Sequence, residues 1–386
     1  MSKLLSPSEA QKEITKFFGE DAIFFDGNIS TKYEAISTGS PSLDEAIGIG
    51  GIPRGRITQL AGQESSGKTM LSLSCIREYL NENPDNTALF IDAEYTYDPA
   101  WAAKQGVDTS RVMVIKTNDA KMIFEGLLGK VKVNKATKKV SKGMRGILDH
   151  VIEGTDPRFK NLGIIVLDSI AVLNTPLEIR AEVGKANMAP IPRFLSTELK
   201  KLTPVIAHAN IAFIGINQVR VDLGKMFGDP TSSPGGRALK HACSLMINMA
   251  PNFSSDSVIA NEDGERIGHT VRAKVEKNKV GTPFSKAEYK IEYQKGVVQK
   301  DREVFDLAIK YGLITRPSSQ SYEIGGKKVR GADAAFEFLT KEHPDLIEEY
   351  ASSIREAYLG EGDSETSVEN GIENVEEENP LIARLK

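Results

Sequence analysis

From about Ala35 onward, short apolar runs alternate with amphipathic segments. Ile57–Ala61, Ala88–Ile91, Val112–Ile115, Ile164–Leu167 and Ile211–Ile216 carry little polar alternation, which is the pattern of strands covered on both faces. Ile191, Phe194, Leu195, Leu199, Leu202 and Ile206 recur at helical spacing and share one face. Strands alternating with helices predict an α/β layer around a mostly parallel central sheet. Further strands are expected at Ser244–Met249, Thr270–Glu276 and Ala287–Tyr293. Past Lys300 the pattern becomes a helix at Val304–Tyr311, a hairpin at Pro317–Arg330, a helix at Ala332–Leu339 and a last helix at Asp345–Tyr358. Near the start, Ser8–Phe18 reads as a helix and Ala22–Phe25 as an apolar piece. Together they are too small to bury a core of their own, so they should pack on something else, such as a neighbouring copy. The expected division is an N-terminal arm over 1–34, a core over 35–299, a small α+β C-terminal domain over 300–359 and a disordered acidic tail over 360–386.

Charge changes this picture at two places. The 386 residues hold 49 Lys+Arg against 53 Asp+Glu, a net charge of −4. Eight acids and no base lie between Glu361 and Asn379, so without them the rest of the chain carries +4. Such a tail either aids solubility or competes with a polyanion for basic surface. Between Lys130 and Arg145 there are seven bases and no acid. That segment is either a solvated lysine-rich insertion or an auxiliary contact to nucleic-acid phosphates. Cys75 and Cys243 are too few for a disulfide framework and belong to no metal motif. The first residues contain no continuous apolar run of the secretory type. No apolar run approaches the ~18 residues needed to span a bilayer. The expectation is a soluble, cytoplasmic protein with no membrane partner.

The strongest chemical signal is Gly62-Gln63-Glu64-Ser65-Ser66-Gly67-Lys68-Thr69, a complete GxxxxGK[ST]. It follows the run Ile57–Ala61 and opens a segment with Met70, Leu71, Leu73 and Ile76, the strand–loop–helix context that the motif requires. Glycines let backbone N–H groups close around phosphate oxygens, and the helix N-terminus adds its positive end. In that setting Lys68 reaches the β/γ-phosphates and the Thr69 hydroxyl ligates Mg²⁺. The run Ile164–Leu167 ends in Asp168, a second Mg²⁺ candidate. Hydrolysis also needs a group that activates water. Ala88–Ile91 ends in Asp92-Ala93-Glu94, and period-2 alternation cannot choose between the two acids, because both point the same way.

Several further stretches accompany this site: Ile36–Asp44 (ISTGSPSLD), Ile216-Asn-Gln-Val-Arg220, Met226-Phe-Gly228, Gly235-Gly236 and Lys277-Asn-Lys279. With Glu64–Thr69 and Asp92–Glu94, they resemble the RecA family of DNA strand-exchange recombinases, in order, from about Ser8 to about Tyr358. The resemblance implies a P-loop RecA-like core, with ATP and Mg²⁺ as cofactors. Its implied partners are single-stranded DNA, double-stranded DNA and further copies of the chain in a helical filament. It implies that Glu94 activates the attacking water and that Gln218 senses the γ-phosphate. It also implies that Lys277 and Lys279 reach a neighbour's ATP, although bare alternation there reads as a solvated strand edge. Asp98 and Trp101 match adenine-side positions, and Tyr293 a second adenine-side aromatic.

Val219–Arg237 is rich in Gly, Pro and Ser between two apolar strands, as long functional loops are. By resemblance this is a DNA-binding loop, and Glu178–Ala189 is another. The resemblance gives Arg193 and Arg220 phosphate contacts, sets Met188 and Leu223 between base triplets, couples Phe227 to the nucleotide and puts Gly235 and Gly236 in the DNA site. Asp222, His241, Met246 and Gln63 depart from the family pattern. His150, His208, His269 and His343 show no ligand spacing and read as ordinary surface or core histidines.

Overall fold

The computed structural model describes residues 33–133, 140–181, 190–221, 231–232 and 236–360. The expected N-terminal helix and the acidic tail lie outside these residues. A ten-stranded sheet organises the rest. In chain order its strands are β1 (Arg56–Gly62), β2 (Thr87–Asp92), β3 (Val112–Lys116), β4 (Leu162–Asp168), β5 (Ala212–Gln218), β6 (Leu245–Asn252), β7 (Val258–Ala260), β8 (Arg266–Asn278), β9 (Lys286–Glu292) and β10 (Gly296–Val298). Their spatial order is β10-β9-β8-β6-β1-β5-β4-β2-β3, with β7 pairing on β8. From β6 through β3 every pair is parallel. On the other side of β6, β8, β9 and β10 add antiparallel.

The five predicted apolar runs are five of these six parallel strands, but β3 lies at the sheet edge with Val114 and Ile115 exposed, so its run is not covered on both faces as the pattern predicted. Along β4, Ile164 and Val166 belong to one core cluster, while Ile165 and Leu167 belong to the other. That alternation is what a strand buried on both faces does with an unbroken apolar run. The first face is covered by helix α1 (Pro41–Ile47) and helix α2 (Lys68–Glu82), through residues such as Leu43, Leu71 and Ile76. The second face is covered by α3 (Ala120–Leu128) and α4 (Pro190–His208). The predicted face of α4 is the packed one: Leu195, Leu199, Leu202 and Ile206 are buried, with Ile191 and Phe194 partly so. Each such side chain contributes roughly 1.5–3 kcal/mol by leaving water.

Strand β8 extends four residues before the predicted Thr270 start. Arg266 and His269 hid that extension, because β7 and β9 rather than an apolar pattern hold it in place. The Lys130–Arg145 segment forms a short antiparallel pair, Val131–Val133 with Val140–Lys142.

Beyond the sheet, α5 (Gly236–Ala242) precedes β6, and α6 (Lys300–Lys310), α7 (Ala332–Glu337) and α8 (Pro344–Leu359) surround a third cluster that includes Phe305, Ile324, Leu339 and Tyr350. The hairpin predicted at Pro317–Arg330 is a three-stranded antiparallel sheet, Thr315–Ser318, Ser321–Ile324 and Lys327–Arg330. The exposed first strand carries Pro317, which reads as a turn in sequence but is tolerated on a sheet edge. Glu303 joins this part to α1, accepting from Ser40 Oγ at 2.6 Å and from Ser42 N at 2.9 Å. No helix among the described residues is long and apolar enough to cross a membrane.

Candidate functional site

The loop Gln63–Gly67 leaves the C-terminal end of β1 and delivers the chain into α2. Gly67 caps α2 with φ 83°, a backbone state that costs a side-chain-bearing residue dearly. A Cβ on Gly67 would lie 2.8 Å from Ile291 Cδ1, and one on Gly62 would collide with Met249 O and Ser66 Oγ. Gly62 is therefore demanded by packing against backbone, and Gly67 by its left-handed φ, as well as by the motif. Lys68 is buried, and its ammonium donates to Gly62 O at 3.1 Å and Gln63 O at 2.6 Å. Burial lowers its pKa, while Asp168, Glu94 and Glu64 act in the opposite direction. An ammonium held by its own loop's carbonyl oxygens fits a site built to receive phosphate oxygens.

Strands β5, β4 and β2 lie next to β1 in that order, so their C-terminal ends line up beside the loop. Asp168 ends β4, and its Oδ2 accepts from Thr69 Oγ1 at 2.7 Å. Burial pushes the Asp168 carboxyl up to about 6, against the Thr69 hydrogen bond, with Glu94 adding to the rise. Among the described residues no group of three or more His, Cys, Asp or Glu could hold a metal. A hydroxyl and one carboxylate instead suit Mg²⁺, which keeps waters and takes ligands from substrate phosphates.

The two acids after β2 separate here. Asp92 is buried and accepts from Thr96 N and Tyr97 N, each at 3.0 Å, so its carboxylate caps the turn that follows. Glu94 Oε1 instead accepts from Ser169 Oγ at 2.5 Å and from Gln218 Nε2 at 3.4 Å. The strand ends at Asp92, so the alternation that equated the two acids no longer applies at Glu94.

A cleft of about 590 Å³ runs along this edge, lined by Glu64–Met70 and by Trp101, Phe253, Arg266, His269, Ile291 and Tyr293. Trp101 and Tyr293 are joined by a 2.8 Å hydrogen bond from Trp101 Nε1 to Tyr293 O. Asp98 caps the short helix Pro99–Lys104 through Ala100 N at 2.8 Å and does not line the cleft. Phe253, Arg266 and His269 were missed in the sequence. His269 is buried, with Nδ1 3.3 Å from the Tyr293 hydroxyl and no partner for Nε2. No local motif marks these three, because antiparallel pairing between β8 and its neighbours brings them to the cleft.

Lys277 and Lys279 are not at this cleft. Lys277 pairs with Met246 at the start of β6. It lies eight residues from His269 along β8, about 26 Å at ~3.3 Å per residue. Its ammonium donates to Lys240 O at 2.5 Å and Cys243 O at 2.7 Å at the end of α5, where a cation complements the helix dipole. Burial, then the neighbouring Lys279, lowers its pKa. Met246, one of the departures, is buried in the second core cluster.

Arg193 is exposed on α4 and Gly236 opens α5 with φ 58°. Arg220–Val221 pairs with Thr231–Ser232, so the expected loop has a short antiparallel base. Val219 N donates to Gly62 O at 3.2 Å, tying that base to the phosphate loop. Met188, Leu223, Phe227 and Gly235 lie outside the described residues.

The RecA N-terminal domain family matches residues 6–298. Protein RecA of Thioalkalivibrio sulfidiphilus is 36% identical, covering 91% of this chain and 93% of that protein. Protein RecA of Aquifex pyrophilus is 34% identical, over 95% and 96% of the two chains. The mitochondrial DNA repair protein recA homolog of Dictyostelium discoideum is 33% identical, over 95% and 76%. The chain belongs to the RecA family, whose members are recombination and repair proteins with a DNA-dependent ATPase.

Proposed function

We propose that this chain is an ATP- and Mg²⁺-dependent recombinase that polymerises on single-stranded DNA, pairs it with homologous duplex and exchanges strands. The observation that carries the reading is the setting of Glu94. Its carboxylate is held by Ser169 and Gln218 at the ends of adjacent parallel strands, beside Lys68 and Thr69. Glu94 accepts the proton of the attacking water, and the two hydrogen bonds hold its oxygen in place for that transfer. Lys68 binds β/γ-phosphate oxygens, and Trp101 and Tyr293 take the base, with Asp98 at the rim. Thr69 and Asp168 would hold Mg²⁺, which supplies positive charge where phosphoryl charge develops.

Gln218 links hydrolysis to DNA, since it touches Glu94 on one side and leads into Arg220 on the other. Arg193 and Arg220 contact DNA phosphates, which makes binding independent of sequence. Met188, Leu223, Phe227, Gly235 and Gly236 complete the DNA surface. Lys277, far along β8, and Lys279, just past its end, lie too far from their own protomer's cleft and act in trans on the ATP of the next protomer, which requires the filament. The arm over 1–34 docks that neighbour, the core over 35–299 carries the chemistry and the remainder is accessory. Two buried free cysteines accord with a cytoplasmic site of action.

The test is ATPase activity with and without single-stranded DNA, over a salt series, for wild type and the Lys277→Ala/Lys279→Ala variant. Strong stimulation that weakens with salt and vanishes in the variant is expected. Hydrolysis indifferent to DNA and to both lysines would sink the filament mechanism.

A further inference from the structure

One wall of the nucleotide cleft carries a cation that none of the expected roles uses. Arg266, the first residue of β8, lies with its guanidinium 4.7 Å over the Phe253 ring. Phe253 sits 4.8 Å from His269, and His269 5.8 Å from Tyr293, centroid to centroid. His269 pairs across the sheet with Ile291, the side chain against Gly67 of the phosphate loop. A chain of contacts, through Ile291 and the tilted rings of His269 and Phe253, thus runs from the loop to Arg266.

Three observations set Arg266 apart. Among the described residues it meets no carboxylate and no hydrogen-bond acceptor, whereas Arg272 on the same strand pairs with Glu288 at 2.9 Å. Arg266 and Lys68 are the two cations that line the cleft, with Glu64 the acid on the lining and Asp168 and Glu94 close to Lys68. A register shift in the β7–β8 pairing falls between Ile259 and Ala260, the residue opposite Arg266, and such bulges re-aim side chains beside functional sites. Stacking on an aromatic face fixes a guanidinium while leaving its N–H edge free, and that edge matches a phosphate in bidentate fashion.

We propose that Arg266, braced by Phe253, binds the phosphate chain of the nucleotide from the wall formed by β8, within the same protomer as Lys68. This rests on reading the cleft as the ATP site, and it adds a second phosphate-binding side chain to that site. Lys68 serves the loop end of the phosphate chain; Arg266 serves the side that the loop does not enclose.

Displacement of a fluorescent ADP by ATP, ADP, AMP and adenosine tests it, in wild type, Arg266→Gln, Arg266→Lys and Phe253→Leu. Arg266→Gln should lose roughly tenfold for ATP and ADP and less than about twofold for adenosine, the signature of a lost charge-assisted contact. Arg266→Lys should recover part of the loss, because it restores charge without the planar fork. Phe253→Leu should lose ATP affinity less than Arg266→Gln does. Equal losses for ATP and adenosine would mean that the residue only supports the wall, and would overturn the proposal. So would unchanged ATP binding in Arg266→Gln when wild type binds ATP. A wild-type protein that binds no ATP overturns both this proposal and the reading beneath it.

Discussion

Asp168 and Glu303 are both buried carboxyls whose pKa is pushed up by burial, to about 6 and about 7, yet their surroundings differ in kind. Around Glu303 the donors are the Ser40 hydroxyl and the backbone of Ser42. Nearby Asp44, pushed to about 6 by burial, is likewise held by Ser37 and Thr38. Ser40 and Ser42 clasp Glu303 of the C-terminal part to the start of α1. Around Asp168 the donor is the Thr69 hydroxyl, and the ionisable Lys68 and Glu94 stand close by, beside a cleft. Burial and a shifted pKa are therefore shared by a clasp and a reaction site. Both have an ionisable neighbour, Asp44 for Glu303, and both accept from a hydroxyl; what separates them is that Asp168 alone has a cation, Lys68, beside it at the edge of a cleft where a ligand can rearrange the charges.

Substitutions at each place should break the comparison in different currencies. Glu94→Gln keeps the shape and removes the proton acceptor, so kcat for ATP should fall roughly 10²–10⁴-fold with little change in KM. Steady-state kinetics checks this; a variant that keeps its kcat would remove Glu94 from the chemistry. Lys68→Ala should cost roughly 10²–10³-fold in kcat/KM without lowering the urea midpoint, because burying that ammonium is itself unfavourable.

At the clasp the readout is stability. A carboxyl with its folded pKa raised above the ordinary value holds its proton in the native state over a range where the unfolded chain has released it. The wild type is therefore favoured by Glu303 below about pH 4.5 and loses that contribution as pH rises toward about 7. The loss is on the order of 3–4 kcal/mol, from about 1.36 kcal/mol per pKa unit. Glu303→Gln should thus be more stable than wild type at pH 8, with no advantage at pH 4, and should leave kcat unchanged. Urea titrations across that range would measure it, and an advantage at pH 4 as large as at pH 8 would contradict the assignment.

The sequence by itself determined the parallel strands, the packed face of α4, the phosphate loop and the carboxylate at the end of β4. Each is written in contiguous residues, as an apolar run, a helical period or a glycine spacing, so local chemistry suffices. Three matters were left to the tertiary structure. Asp92 and Glu94 share a strand parity, and only the turn after β2 sends one into a backbone cap and the other toward Ser169 and Gln218. Lys277 has the alternation of a solvated edge, but its ammonium is satisfied by carbonyls from α5, more than thirty residues away in sequence. Arg266, Phe253 and His269 belong to no motif, and the antiparallel extension of the sheet gathers them beside a loop some two hundred residues earlier. Which strand pairs with which is settled by burying all faces at once, and no local stretch of sequence contains that information.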